Sequence, residues 1–333
     1  MGETINLQSV YKKLVPDIKT LFVIPLVRYE YPKSDYLYLF YKDLIESNDP
    51  PQVKSISAVA HIKFVLSRLS RNPSIVHYHW LEFQDKRALL GMVYKWICLY
   101  FYKLLGGRLV WTIHNKMPHD RRYFRGNFLL RKWMAIKSDK LHVHCETAAD
   151  EMSEFFNVPR NKFIIIPHPE FPAKLIPHAA AAEAINQRFN LNLKGTDSIY
   201  LTFGNISTYK GIPEIARIFK SLKTGKKLII AGPVKKGHMQ VYKEIKAIQE
   251  DAENIHIIPK FISEECVAEF FNAADYAVFN YKDILTSGGV ELARSYRKKI
   301  ILPLTGCLKE LEDLPNIIPF KTSEELKEIL QNT

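Results

Sequence analysis

Residues 280–300, NYKDILTSGGVELARSYRKKI, bring two acidic side chains, a glycine turn and the start of a helix close together. Asp283 and Glu291 lie on either side of the glycine pair. One apolar run precedes the stretch at residues 276–279, and another follows at residues 300–302. This order predicts a strand, a loop, a helix and a second strand, the repeating unit of an α/β protein with a parallel sheet.

The loop before this helix is suited to an anionic group. Its residues are Thr286, Ser287, Gly288 and Gly289. Serine is a favourable N-cap, the two glycines let backbone N–H groups face outward, and a helix N-terminus carries partial positive charge. A nucleotide sugar fits this pattern, with a phosphate at the helix start and the flanking carboxylates on sugar and ribose hydroxyls. A glycine pair before a helix is common, so this stretch does not decide the function alone.

The length of 333 residues exceeds what one hydrophobic core usually supports, so two domains are expected. Strand and helix patterns alternate along the chain and are interrupted by three prolines between residues 169 and 180. We therefore predict an N-terminal domain at residues 1–170, a linker at residues 171–180 and a C-terminal domain at residues 181–333. Ligands of such sheets bind at the carboxyl ends of the strands.

Ten apolar runs predict the strands, at residues 19–27, 74–79, 108–115, 140–147, 162–168, 198–206, 226–232, 255–261, 276–279 and 300–302. Helical patterns lie between them, among them residues 58–69, 148–156, 213–222, 240–251, 263–273 and 323–330. The most apolar helix is predicted at residues 88–107. We interpret it as a packed helix of the N-terminal domain, and a helix lying on a membrane surface is the alternative.

The net charge of +12 is concentrated in one half of the chain. Residues 1–175 contain 26 Lys and Arg against 16 Asp and Glu, whereas residues 176–333 contain 21 against 19. A basic half attracts anionic lipid headgroups, a polyphosphate or nucleic acid. The sequence has no long uncharged apolar stretch and no signal-peptide pattern at its start, so we expect a cytoplasmic protein, peripheral on the inner face of the membrane.

A second anion-binding signal lies at residues 201–212, LTFGNISTYKGI. Gly204 ends a predicted strand, and Lys210 precedes a helix, from where its amine can reach a diphosphate. Neither G-x-G-x-x-G nor G-x-x-x-x-G-K-[ST] occurs, which disfavours dinucleotide oxidoreductases and P-loop proteins. The chain has no D-x-D and no C-x-x-C, so we predict neither a bound metal nor a cofactor.

Polar residues at the strand ends of the N-terminal half are candidates for ligand contacts, because ligands of such sheets bind there. His114 lies at the end of the predicted strand at residues 108–115. Lys116, His119, Arg121 and Arg122 follow it, and Glu146 lies at the end of the next predicted strand.

Several segments, in this order, resemble the retaining glycosyltransferases of the GT-B fold, in particular the large family 4 (glycosyl transferases group 1). They are HYHW at 77–80, WTIHN at 111–115, IIPHPEF at 165–171, TFGNISTYKG at 202–211, IIAG at 229–232, FISEECVAEFFNAAD at 261–275, and the spacing of Asp283 and Glu291. The resemblance covers about residues 20–315. It implies two doubly wound, Rossmann-like domains that face each other across a cleft.

The resemblance also implies roles for individual residues. Lys210 matches the lysine that neutralises the donor diphosphate, and Glu291 matches the glutamate that holds the ribose. Asp283 stands where the family has a glutamate that contacts the donor sugar, and His114 matches the histidine that faces donor and acceptor. The amides of Ser287, Gly288 and Gly289, together with Gly204 and Thr286, would line the donor site.

Two departures from the family pattern bear on the donor. Asn205 stands where the family often has an arginine, which removes one cation from the diphosphate site. Asp283 is one methylene shorter than the usual glutamate, which changes the fit to the donor sugar.

The implied function is transfer of a sugar from a UDP- or GDP-linked donor to an acceptor hydroxyl, with retention of the anomeric configuration and without a metal. We expect a lipid-linked or saccharide acceptor in polysaccharide or glycolipid assembly, and an anionic membrane surface as a partner. The predicted acceptor-binding residues are Lys116, His119, Arg121, Arg122 and Glu146. A nucleotide-sugar epimerase of the same fold is the alternative. A non-catalytic nucleic-acid-binding protein ranks below both, because no aromatic RNA-recognition pattern is present and nucleic acid is not expected as a partner.

Overall fold

The computed structural model describes residues 6–82, 86–118, 123–222 and 225–333. The chain divides into two compact units, Met1–Pro169 and Glu170–Thr333, called unit 1 and unit 2 below. The linker predicted at residues 171–180 falls in unit 2, and its last three residues begin a helix there. No helix in the described ranges combines the length and hydropathy that a bilayer-spanning segment requires.

Unit 1 contains a six-stranded parallel sheet with strand order β2-β1-β3-β4-β5-β6. Its elements are α1 (Leu7–Leu14), β1 (Thr20–Ile24), α2 (Tyr36–Glu46), β2 (Gln52–Ser55), α3 (Ile62–Leu69), β3 (Ser74–Tyr78), α4 (Lys86–Leu104), β4 (Arg108–Thr112), α5 (Phe124–Lys137), β5 (Lys140–Val143), α6 (Glu146–Phe156) and β6 (Phe163–Ile165). The central strands β1 and β3 are buried along their whole length, as expected of a parallel sheet that is covered on both faces.

Unit 2 contains a second six-stranded parallel sheet, with strand order β12-β11-β10-β7-β8-β9. Its elements are α7 (His178–Phe189), β7 (Ser198–Phe203), α8 (Ile212–Lys220), β8 (Lys226–Ala231), α9 (Met239–Glu250), β9 (Ile255–Ile258), α10 (Glu264–Ala273), β10 (Tyr276–Val278), α11 (Gly288–Ser295), β11 (Lys299–Pro303), β12 (Ile317–Phe320) and α12 (Ser323–Asn332).

Both faces of this second sheet are covered by apolar side chains. Along β7, Ile199 and Leu201 pack into one apolar core, whereas Tyr200 packs into a second apolar core. Neighbouring side chains on a strand point to opposite faces, so helices pack on each side.

All ten predicted strands are present, nine of them with shorter bounds than predicted, whereas β11 extends one residue beyond its predicted run at each end. Five elements were not predicted from the sequence, namely α1, β2, α5, α7 and β12. The α2 helix begins where Asp35 accepts a hydrogen bond from the amide of Tyr38, and α8 has Pro213 in its first turn. The most apolar helix, predicted at 88–107, is α4.

Candidate functional site

The two anion-binding signals of the sequence lie next to each other in unit 2. Strand β7 pairs with both β8 and β10, so the segments that leave these three strands lie at one edge of the sheet. Those segments are residues 204–211, residues 232–238 and residues 279–287. Ligands of doubly wound sheets bind at this edge.

Two glycines allow the ends of β7 and β8 to approach closely and leave room for a lysine. A Cβ atom on Gly232 would lie 2.4 Å from the carbonyl oxygen of Gly204, and a Cβ atom on Gly204 would lie 2.9 Å from Nζ of Lys210. The φ angle is 143° at Gly232 and 92° at Gly204, and residues other than glycine rarely adopt such values. The position of Lys210 therefore depends on glycine at both sites.

Lys210 is buried, with 6% of its surface exposed, at the end of a short 3-10 turn. Its Nζ donates a hydrogen bond to the carbonyl oxygen of Phe203 at 2.8 Å. Burial lowers its pKa to about 7, because the charged amine has lost much of its hydration. A phosphate oxygen placed beside this amine would favour the charged form, so the side chain suits an anionic ligand.

A series of contacts connects the lysine turn to the start of α11. The amide of Lys282 donates to the carbonyl of Tyr209 at 3.0 Å, and the rings of Tyr209 and Tyr281 stack with centroids 5.9 Å apart. The hydroxyl of Ser287 donates to that of Tyr281 at 2.7 Å. The lysine and the helix start therefore belong to one continuous structure.

The N-terminus of α11 is capped as predicted. The hydroxyl of Ser287 accepts a hydrogen bond from the amide of Val290 at 3.3 Å, and its carbonyl accepts one from the amide of Glu291. The first amides of a helix have no acceptor within the helix, so those of Gly288 and Gly289 can donate to a ligand. Their dipoles add partial positive charge to that of Lys210.

Glu291 lies in the first turn of α11 and forms an ion pair with Arg294 at 2.6 Å. Burial raises the pKa of Glu291, and the guanidinium group of Arg294 partly offsets this. Arg294 was missed in the sequence, although its i, i+3 spacing from the glutamate indicates an ion pair on a helix. Of the other predicted donor residues, Asp283 and Asn205 are exposed and Thr286 is half-buried, all on the loops described above.

Unit 1 contains a cluster of buried histidines at the carboxyl ends of the neighbouring strands β3, β4 and β5. Its members are His77, His79, His114, His142 and His144. Burial lowers the pKa of each, to about 3 for His77, and repulsion between neighbouring rings adds to this. At neutral pH each ring is therefore uncharged, with one nitrogen as donor and the other as acceptor.

A backbone carbonyl fixes the direction of the hydrogen bonds in this cluster. Nε2 of His142 lies 3.0 Å from the carbonyl oxygen of Ile166, so it must be the donor, and its Nδ1 accepts from the hydroxyl of Thr112 at 2.9 Å. That hydroxyl accepts in turn from Nε2 of His77 at 2.7 Å. Nδ1 of His77 then accepts a hydrogen bond from the hydroxyl of Tyr11 or from that of Tyr41 in α2, each 2.6 Å away.

The network continues from α2 to His114. The hydroxyl of Tyr41 lies 2.6 Å from Nδ1 of His77 and 2.8 Å from Nε2 of His79. Nδ1 of His79 is 3.0 Å from Nε2 of His114, so one proton lies between these two rings. The tautomer of His114 is therefore tied to that of His79.

Aromatic rings hold His114 in place. Trp80 stacks on it with centroids 4.4 Å apart and planes at 10°, and Tyr36 meets it edge-on at 5.0 Å. A recess beside the histidine is lined by Trp80, Leu81, Glu82, Trp111, Thr112, His114, Asn115 and Arg131. His114 thus borders a small recess lined by polar and aromatic side chains, which has room for about one water molecule.

Arg131 of α5 supports this recess and was missed in the sequence, where it stands directly before Lys132. Its guanidinium donates to the carbonyl of Leu81 at 3.2 Å and to that of Asn115, and it lies over the ring of Trp111. Burial lowers its pKa to about 10, so it stays charged at neutral pH. It joins the loops that follow β3 and β4, one of which carries His114.

The remaining predicted acceptor residues are less closely grouped. Lys116 lies over the ring of Phe155 at 5.0 Å, and Glu146 is an exposed partner of Arg160. His119, Arg121 and Arg122 lie outside the described residues. Within the described part of the chain, no group of three or more His, Cys, Asp or Glu side chains is arranged to hold a metal ion.

No protein-family model and no curated protein sequence matches this chain. Solved glycosyltransferase structures match its fold. Anabaena HepE in complex with UDP and glucose has a TM-score of 0.68 at 12% identity, covering 95% of this chain and 89% of that one. Sucrose-phosphate synthase from Thermosynechococcus elongatus has a TM-score of 0.65 at 14% identity, with coverage of 95% and 89%. A glycosyltransferase from Rickettsia africae has a TM-score of 0.65 at 12% identity, covering 95% and 88%.

The chain has the GT-B fold. At these identities the likeness shows the fold alone. Within this GT-B chain, the predicted donor-binding residues come together in unit 2, and His114 lies in unit 1 at the end of β4.

The close approach of the strand ends in unit 2 predicts a cost for any side chain at residue 232. We expect Gly232→Ala to lower the free energy of unfolding by about 1–3 kcal/mol, because its Cβ would displace the Gly204 carbonyl. Gly195→Ala is the matched control, because nothing lies within 4 Å of its Cβ position, and it should change stability by less than about 0.5 kcal/mol. Scanning calorimetry measures both, and equal melting temperatures would refute the packing argument.

The neutral histidines predict an acid-sensitive unit 1. Their pKa values are lowered on folding, so stability is highest above pH 6.5 and falls as the pH decreases from 6.5 toward 3, while only the unfolded chain binds protons. Each such histidine lowers the free energy of unfolding by up to about 1.4 kcal/mol for every unit by which the pH falls in this range. All four tryptophans lie in unit 1, so denaturant unfolding followed by their fluorescence reports on this unit. His144→Gln should make the pH dependence shallower, and an unchanged midpoint between pH 7.5 and 5.5 in the wild type would contradict the prediction.

Proposed function

We propose that this protein is a glycosyltransferase that moves a sugar from a nucleotide-diphosphate donor to an acceptor hydroxyl. Unit 2 binds the donor, and unit 1 supplies His114 and binds the acceptor. The observation that carries this proposal is the joining of Lys210 to the N-terminus of α11 through Tyr209, Tyr281 and Ser287. Two separate sources of positive charge at one sheet edge match a diphosphate better than a single phosphate.

The chemistry follows from where charge develops. The bond between the anomeric carbon and the donor phosphate oxygen breaks, and the leaving diphosphate gains negative charge. Lys210 and the first amides of α11 stabilise that charge without rearranging, which is the usual source of a large rate effect. Glu291 holds the ribose hydroxyls, and Asp283 contacts the donor sugar.

We further propose that transfer retains the anomeric configuration, as in the family 4 enzymes that the sequence resembles. The acceptor oxygen attacks the anomeric carbon from the face that the diphosphate leaves, and its proton passes to the departing phosphate oxygen. This route requires no sugar bonded to the protein, and charge stabilisation by Lys210 and the helix fulfils the role of a metal. His114 is held beside Trp80, where an uncharged ring can accept or donate a hydrogen bond to a sugar hydroxyl.

The donor is proposed to be UDP- or GDP-linked. HepE, whose fold this chain shares, was solved with UDP-glucose bound, which supports a uridine nucleotide as the first donor to test. A lipid-linked or saccharide acceptor in polysaccharide or glycolipid assembly, at the inner face of the membrane, completes the proposal.

Two substitutions test the donor site. Lys210→Ala removes the buried cation and Glu291→Ala removes the ribose ligand, and each should lower turnover about tenfold or more while the circular dichroism spectrum is unchanged. Lys246→Ala is the control, because this lysine is exposed on α9, and it should retain wild-type turnover. Turnover is measured with UDP-, GDP- and ADP-sugars and a panel of acceptors. Wild-type rates in both site variants would remove the assignment.

Product analysis separates the competing functions. Incubation with the donor alone should leave the sugar unaltered, whereas an epimerase would convert it without an acceptor. The proton spectrum of the product gives the anomeric configuration, and inversion would rule out the retaining route. Tight binding of nucleic acid without any turnover would instead support the non-catalytic alternative.

A further inference from the structure

Three helices of unit 1 have an unusual composition. Together α3, α4 and α5 contain ten Lys and Arg residues and no Asp or Glu. The central one, α4, is apolar on the side that packs inward, through Met92, Leu99 and Tyr102, and is also apolar on its outer side. A helix that is apolar all round is usually covered on every side.

The outer side of α4 is exposed in this chain. Nine of its large apolar residues face solvent, namely Leu89, Leu90, Val93, Tyr94, Trp96, Ile97, Tyr100, Phe101 and Leu104. Leu90 is 74% exposed and Leu104 is 68% exposed. Among the described residues of unit 2, in contrast, only Leu175, Met239, Phe261 and Leu314 are exposed large hydrophobic residues. Exposed large apolar residues are therefore concentrated on this helix and are not spread evenly over the described part of the chain.

The neighbouring helices extend the surface on both sides of α4. Toward α3, the hydroxyl of Tyr94 accepts from the amide of Ile62 at 3.2 Å. Toward α5, the rings of Trp96 and Trp133 lie 5.7 Å apart. Exposed apolar side chains continue onto both helices, at Ile62, Leu66, Leu69, Phe124, Leu129 and Ile136. The apolar surface is therefore continuous across three helices and far larger than scattered exposed residues would produce.

The charges and the aromatic residues on this surface indicate what covers it. The exposed basic residues Lys63, Arg125 and Lys137 belong to the same helices. A second copy of the chain would place these cations against one another, which disfavours self-association. Trp and Tyr side chains with an apolar body and a polar tip, next to basic residues, are typical of the interface between lipid headgroups and acyl chains.

We propose that α3, α4 and α5 form a docking surface for an anionic lipid bilayer. The exposed side chains of α4 enter the region below the headgroups, and the exposed basic residues Lys63, Arg125 and Lys137 contact lipid phosphates. Docking itself is independent of sugar transfer. Only the consequence that the acceptor is presented at the membrane rests on the proposed function.

Vesicle flotation of the full chain tests the surface. The wild type should float with vesicles of phosphatidylcholine and phosphatidylglycerol, much less with phosphatidylcholine alone, and less as salt is added. Ile97→Gln/Phe101→Gln changes two exposed positions to a good helix former and should weaken binding about tenfold or more. The control is Met239→Gln/Phe261→Gln, which changes two exposed apolar residues of unit 2 and should bind as the wild type does.

Three results would overturn the docking proposal. The first is that the wild type does not float with anionic vesicles at low salt. The second is that the Ile97→Gln/Phe101→Gln variant floats as well as the wild type does. The third is that the wild type forms a dimer in solution and does not bind vesicles, and that this variant abolishes the dimer. A thermal-shift titration with UDP, run on the same variants, reports the donor site separately and should be unchanged. A protein that binds UDP but not vesicles would therefore contradict only the docking proposal. A protein that binds vesicles but not UDP would contradict only the proposed function.

Discussion

A buried lysine amine, held by one backbone carbonyl, is the constraint on which unit 2 depends. The amine of Lys210 lies against the carbonyl of Phe203, and burial lowers its pKa to about 7. A cation in this position costs free energy unless an anion joins it. The glycines at 204 and 232 make room for it, and the N-terminus of α11 adds charge of the same sign. These features have a common explanation if the site is completed by a diphosphate.

The buried histidines of unit 1 contrast with the cationic site of unit 2. The five histidines clustered at the strand ends of unit 1 are neutral, and the hydrogen bonds of His142 and His77 run in one direction from the carbonyl of Ile166. Neutral, oriented rings suit the recognition of hydroxyl groups, which both donate and accept. This contrast is what the proposed function requires, in which unit 2 binds the anionic part of a nucleotide sugar and unit 1 binds the hydroxyl-bearing acceptor. Arg131 is charged, but its donors are directed to backbone carbonyls, so it orders loops.

The sequence predicted the fold class and the two loops that meet at one sheet edge of unit 2, because both depend on local patterns. Apolar runs located the ten strands, and residues near Gly204, Lys210 and Ser287 were recognisable by their turn and capping chemistry. The missed elements had weaker patterns. Strand β2 is an edge strand of mixed polarity, β12 contains Pro319, and α7 begins directly after a proline-rich segment.

The histidine network and the exposed apolar surface of α3, α4 and α5 could not be predicted in this way. The network joins residues far apart in sequence, such as Tyr11 and His77, so it depends on tertiary packing. The apolar helix at residues 88–107 was recognised, but its sequence did not show that the outer side is exposed. That conclusion required the positions of α3 and α5, the second of which was not predicted at all.

The central claim is that Lys210 and the first turn of α11 bind one diphosphate together. A crystal structure of the protein with UDP or GDP tests this most directly. The account predicts phosphate oxygens within hydrogen-bonding distance of both Nζ of Lys210 and the amides of Gly288 and Gly289. A nucleotide bound elsewhere, or one that contacts the helix while the lysine remains only on the Phe203 carbonyl, would contradict it.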